Sequence, residues 1–118
     1  MNSRPSEVEV LKIFSDICAA VAFMHYQQPP IIHRDLKIEN VLLTGKNELK
    51  LTDFGSATRE PMRVTNIKDV PMYELVIQKY TTLAFRAPEM VDLYQKKLIN
   101  EKADIWVGFS LPLFLPLD

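Results

Sequence analysis

A single cysteine, Cys18, excludes any disulfide within the chain and suits a reducing compartment. Glycine is nearly as scarce, and Gly45, Gly55 and Gly108 lie too far apart to form a glycine-rich loop that wraps backbone amides around a phosphate. An excess of one charge is missing too. With 14 Lys+Arg against 15 Asp+Glu the net charge is -1, so bulk electrostatics steers the chain toward neither nucleic acid nor an anionic membrane. No apolar run approaches the ~20 residues of a membrane-spanning helix. The opening from Met1 to Glu7 is polar and does not read as a signal peptide. The apolar tail from Phe109 to Asp118 is interrupted by Pro112 and Pro116, which argues against an anchor. Internal repeats and linker-like stretches are absent as well.

What is present describes an ordinary globular domain, with 47% apolar and 25% charged residues, and 118 residues suffice for one core but are short for a two-lobed enzyme. Ser6 and Glu9 form a capping box, and Val10, Ile13, Phe14, Ile17, Val21 and Met24 recur at helical spacing, which predicts a helix from about Glu7 to Tyr26. Pro29-Pro30 ends it. Val41-Leu42-Leu43 and Leu49-Lys50-Leu51, joined by Thr44-Gly45-Lys46-Asn47-Glu48, predict a hairpin. The mixed stretch from Ser56 to Lys79, with Pro61 and Pro71, reads as a long mobile loop. Met90 to Tyr94 is apolar at helical spacing, and Glu101 to Trp106 predicts a further helix, deeply buried through Ile105 and Trp106 and broken beyond Gly108. Of the remaining residues, Cys18 is assigned to core packing and His25 to a helix end. Met62, Met72 and Met90 read as packing or loop residues, and Lys96, Lys97, Glu101 and Lys102 as a solvated face.

Chemistry concentrates in Ile32-His33-Arg34-Asp35-Leu36-Lys37-Ile38-Glu39-Asn40 and in Asp53-Phe54-Gly55, which read as H-R-D-L-x-x-x-N and D-F-G. Asp35 is the candidate to orient an attacking hydroxyl and accept its proton, and Lys37 would sit over a transferred phosphate as a point charge. The hairpin should bring Asn40 close to Asp53, giving oxygen ligands for a hard cation such as Mg2+. Phe54 would pack behind, Gly55 would give the backbone freedom, and Arg34 could pair with a phosphate or acidic group on the following loop. Either motif alone would be read as a buried histidine beside a surface ion pair, or as a turn. Found in order and followed by Ala87-Pro88-Glu89, they argue for one phosphoryl-transfer site.

Together these motifs resemble the C-terminal lobe of a eukaryotic protein kinase. More narrowly, residues 33–40, Asp53-Phe54-Gly55-Ser56-Ala57-Thr58, the run from Tyr80 to Tyr94 and Lys102-Ala103-Asp104-Ile105-Trp106 resemble the Numb-associated kinases. The resemblance extends from about Met1 to Trp106. It implies a partial kinase domain over residues 1–106, a divergent tail over residues 107–118, and a mainly helical α+β fold with a small hairpin beside the catalytic loop. It implies Ser/Thr specificity through Lys37 and through Thr82, whose hydroxyl in such kinases meets the catalytic aspartate and lysine. Asp35, Lys37 and Thr82 are then catalytic; Lys37, Asn40 and Asp53 hold ATP, and Asn40 and Asp53 its Mg2+. Arg34, Thr81 and Thr82 are regulatory, and His33, Phe54, Gly55, Ala87, Pro88, Glu89, Asp104 and Trp106 structural. Implied partners are protein substrates, among them clathrin-adaptor subunits, in a cytoplasmic setting at endocytic vesicles, with no nucleic acid and no membrane insertion.

The sequence departs from the family pattern in three places. It has neither the G-x-G-x-x-G loop nor the V-A-I-K lysine, one residue rather than two separates Trp106 from Gly108, and it ends before the arginine that pairs with the A-P-E glutamate in kinases. These departures imply a nucleotide that this chain alone holds incompletely, a Glu89 without its partner, and helix faces left uncovered. The competing reading is a catalytically inactive fragment acting as a binding or regulatory module, or an incomplete gene model.

Overall fold

A computed structural model describes residues 6–46 and 48–110, together with the side chains of all of these up to Val107. The readings made above for the first residues and for the tail from Leu111 onward lie outside this range. Helix α1 spans Glu7–His25 and opens on the expected capping box: the Ser6 hydroxyl accepts from the Glu9 amide while the Glu9 carboxylate accepts from the Ser6 amide. Val10, Ile17, Val21 and Met24 form its buried stripe. Cys18 falls beside that stripe and is exposed, so it is not the core residue expected.

Strands β1 (Val41–Leu43) and β2 (Leu49–Leu51) pair antiparallel with Val41 opposite Leu51, the register that a short turn imposes. They are the only strands among the described residues, and the fold is α+β, mainly helical with one small sheet.

The segment from Ser56 to Lys79 is not a continuous loop. A 3-10 turn at Ile67–Asp69 leads into α2, Val70–Tyr80. Pro71 is what misled the sequence reading, since proline breaks a helix interior but fits its first turn, where no amide partner is needed. Val70 and Ile77, two turns apart, are buried.

The run from Met90 to Tyr94 is also divided. Helix α3 is a single turn, Pro88–Val91, and Asp92 then caps a separate 3-10 turn, Leu93–Gln95, by accepting from the Tyr94 amide. Helix α4 spans Lys102–Ser110, passing through Val107 and Gly108. Its inward face carries Ala103, Asp104 and Val107, whereas Ile105 and Trp106 are 43% and 46% exposed, contrary to the deep burial expected of them. Positions 103 and 107 lie one turn apart and 104 beside them, so 105 and 106 must turn outward.

Two cores result. One gathers Val64, Val70, Ile77, Met90, Leu93, Ile99 and Ala103; the other gathers Ile17, Val21, Met24, Leu36 and Val107, with the hairpin packed against it. Helix α4 serves both, through Ala103 and Val107. Two isolated bridges tie the long connections down, Ile32 with Thr58 and Met62 with Ile99. An apolar cavity of about 260 Å³ lies between α1 and α4, lined by Phe14, Ile17, Cys18, Val21 and Ile105 among others. No helix among the described residues is long and apolar enough to cross a membrane.

Candidate active site

The H-R-D stretch leaves the bridge at Ile32 and turns at Arg34, whose φ of 74° lies in the left-handed region. For an arginine this conformation costs about 1–3 kcal/mol and persists only where the surroundings hold it. Asp104 does the holding. Its Oδ2 accepts from the His33 amide at 2.8 Å and its Oδ1 from the Arg34 amide at 3.0 Å. His25, the last residue of α1, places Nε2 2.9 Å from the same Oδ2, so it is more than a helix-end residue. Charge-assisted bonds of this kind are about twice as strong as neutral ones, which is how a carboxylate with a side chain only 2% exposed remains in place.

His33 is fully buried. Its Nδ1 accepts from the Asp35 amide at 3.2 Å, which assigns the proton to Nε2, 3.0 Å from the carbonyl of Thr52. Phe54 stands edge-on to this ring at 5.1 Å between centroids but is half exposed, so it covers one side of the loop. The left-handed residue of the D-F-G turn is Asp53, with φ 60°, and not Gly55, where a Cβ would meet Asp53 Oδ1 at an ordinary 3.4 Å.

Asp35 lies at the end of this scaffold, and its two carboxylate oxygens are used differently. Oδ1 accepts from the Thr82 hydroxyl at 2.7 Å. Oδ2 is 3.6 Å from Lys37 Nζ, an ion-pair distance longer than a hydrogen bond, and Lys37 Nζ also donates to Thr82 Oγ1 at 3.3 Å. Oδ2 is thus the oxygen that accepts no hydrogen bond from the described residues.

Asn40 is buried, and its Nδ2 donates to the Asp35 carbonyl at 2.8 Å. The Asn40 carbonyl in turn accepts from the Thr52 amide, so the base of the hairpin sets Asp53 beside Asn40 in the chain path. With its amide nitrogen committed, Asn40 has its side-chain oxygen left, and Asp53 is exposed. Two hard oxygen donors, completed by phosphate and water, fit Mg2+. Among the described residues there is no group of three or more His, Cys, Asp or Glu side chains able to hold a metal.

Arg34 and the segment after α2 complete the site. The Arg34 guanidinium donates from Nε to the Ser56 carbonyl and lies 4.4 Å from the centroid of the Tyr80 ring. Burial lowers its pKa from the ordinary value, while Tyr80 and Asp104 act in the opposite direction. The Thr81 hydroxyl donates to the Ile77 carbonyl and accepts from Arg86 Nε at 2.8 Å. Ala87 is buried at the start of α3, followed by Pro88 at its first position. Glu89 enters none of the ion pairs found among the described residues.

The structure therefore gathers His33, Arg34, Asp35, Lys37, Asn40, Thr82 and Asp104 around one loop. Thr52, Ser56, Tyr80 and His25 also belong to the site although the sequence reading gave none of them a role in it. Thr52 and Ser56 act through main-chain carbonyls, which carry no residue signature. Tyr80, an aromatic next to Thr81-Thr82, is the one a pattern could have flagged.

The protein kinase domain model matches residues 2–111. A probable serine/threonine-protein kinase of Dictyostelium discoideum is 55% identical over 106 residues, covering 89% of this chain and 9% of that protein. Serine/threonine-protein kinase ppk30 of Schizosaccharomyces pombe is 53% identical over 107 residues, 90% of this chain and 11% of its own length. Actin-regulating kinase 1 of Saccharomyces cerevisiae is 44% identical over 115 residues, 98% of this chain and 18% of its own length. The chain spans less than a fifth of these relatives. With a family model covering nearly all of its residues, and its relatives named as serine/threonine kinases, the chain belongs to the protein kinase domain family.

Proposed function

We propose that these residues carry the catalytic loop, the metal-holding pair and the activation segment of a serine/threonine kinase that transfers the terminal phosphoryl group of ATP to protein hydroxyls. The observation that carries this reading is the Asp35–Thr82–Lys37 triangle, which leaves one carboxylate oxygen open beside a lysine ammonium. In this reading Asp35 Oδ2 takes the proton of the substrate hydroxyl, and Thr82 on Oδ1 holds the carboxylate plane. The Lys37 ammonium offsets the negative charge of the group in transit. Asn40 and Asp53 would hold Mg2+, which would offset the negative charge of the phosphate group.

The narrower assignment is to the Numb-associated kinases, supported by Asp53-Phe54-Gly55-Ser56-Ala57-Thr58 and by the run from Tyr80 to Tyr94. The name of the budding-yeast relative, actin-regulating kinase 1, ties that protein to actin, and for this chain an endocytic setting with clathrin-adaptor subunits as substrates is the proposed one.

A chimaera tests the catalytic reading. Residues 2–106 replace the matching segment of the fission-yeast relative, and transfer from ATP to serine- and threonine-containing peptides is measured. The chimaera should phosphorylate these peptides, and Asp35→Asn should lower the rate by about a hundredfold or more while ATP binding persists. A folded, ATP-binding chimaera without transfer would overturn the reading.

A further inference from the structure

Tyr80 is the last residue of α2, two positions before Thr82, and Arg34 is the residue before Asp35. Two contacts therefore run side by side between the same two segments. One is the Thr82 hydroxyl on Asp35 Oδ1; the other is the Arg34 guanidinium over the Tyr80 ring, 4.4 Å from its centroid. We propose that Tyr80 is a positioning residue, whose ring holds Arg34 and so fixes the end of α2 against the catalytic loop with Thr82 in reach of Asp35.

Arg34 is suited to this arrangement by the way its groups are used. The backbone amide is taken by Asp104 and Nε by the Ser56 carbonyl, which orients the guanidinium plane and leaves its face for an aromatic ring. Guanidinium is planar and weakly hydrated, so it stacks on tyrosine with less desolvation than an ammonium. Lys79 Nζ also approaches the Tyr80 ring, at 5.1 Å, but from an exposed residue where water screens it. An arginine in this place can equally be held by a phosphate on the following segment. Here the Tyr80 ring takes that place. The consequence for phosphoryl transfer rests on the kinase reading of Asp35; the contact itself does not.

NMR spectroscopy of the 118-residue chain tests the contact directly. Arg34 side-chain protons should be shifted upfield by the Tyr80 ring, and their absence from that region in the unsubstituted chain would overturn the proposal whatever the variants do. Tyr80→Phe keeps the aromatic face and should leave the Arg34 Nε–H exchange rate unchanged. Tyr80→Leu keeps helix propensity but not the face, and should abolish the ring shift and raise that exchange about tenfold. Lys79→Gln should change neither. An unaltered Arg34 exchange in Tyr80→Leu, or a Phe variant that behaves like Leu, would also refute the positioning role. In the chimaera, Tyr80→Leu should lower transfer about tenfold with Tyr80→Phe active. A chimaera that is silent before substitution bears on the kinase reading, while the Arg34 signals still decide the role of Tyr80.

Discussion

Asp104 holds backbone amides about seventy residues earlier in the chain, and it does so as a buried carboxylate. Removing its acceptors would leave the His33 and Arg34 amides without partners, at about 1–3 kcal/mol each. Asp104→Ala should therefore lower the unfolding free energy by roughly 3 kcal/mol or more, read as a shift of the urea midpoint, and Asp104→Asn, which keeps one acceptor oxygen, should fall between. At this scale legibility was uneven. His33, Asp35, Asn40 and Asp53 stood out because the H-R-D-L-x-x-x-N and D-F-G patterns specify residue types at fixed spacing. His25 and Ser56 did not, because each meets its partner across 79 and 22 residues through contacts that many residue types can make.

Helix α1 was readable from end to end because its cap and its apolar stripe agree, and local and tertiary preferences point the same way. Helix α2 was missed because two of its signals conflicted. Its proline looked like a breaker, and its buried pair Val70 and Ile77 is too sparse to announce a period beside exposed Met72 and Leu75. The packing is nevertheless substantial, so Ile77→Ala should cost about 2–5 kcal/mol, whereas Ser6→Ala at the α1 cap should cost about 1 kcal/mol. Thermal melts followed by circular dichroism would rank the two. An Ile77 variant no less stable than the Ser6 variant would show that α2 is held by something other than its core face.

At the scale of the whole molecule, two cores meet on α4 and a good deal of apolar surface remains outside them. Val8, Leu11 and Phe23 on α1 are 76%, 60% and 71% exposed. Such a surface should drive self-association. Sedimentation velocity should show a concentration-dependent increase in mass that Leu11→Glu with Phe23→Glu abolishes, and an unsubstituted chain that stays monomeric at high concentration would contradict this. Helix α1 and the hairpin were legible as elements, since the cap, the apolar stripe and the β1–β2 pairing are each local in sequence. The sharing of α4 was not, because nothing in Ala103-Asp104-Ile105-Trp106-Val107 states which core each residue joins. That sharing also governs what mutation can do to the segment. A residue inserted between Asp104 and Val107 would swing Val107 by about 100° around the helix while Ala103 stayed put. Point substitutions on the outer face leave both cores closed, but a change of length opens one of them. Over evolutionary time this stretch should tolerate replacement far better than insertion or deletion.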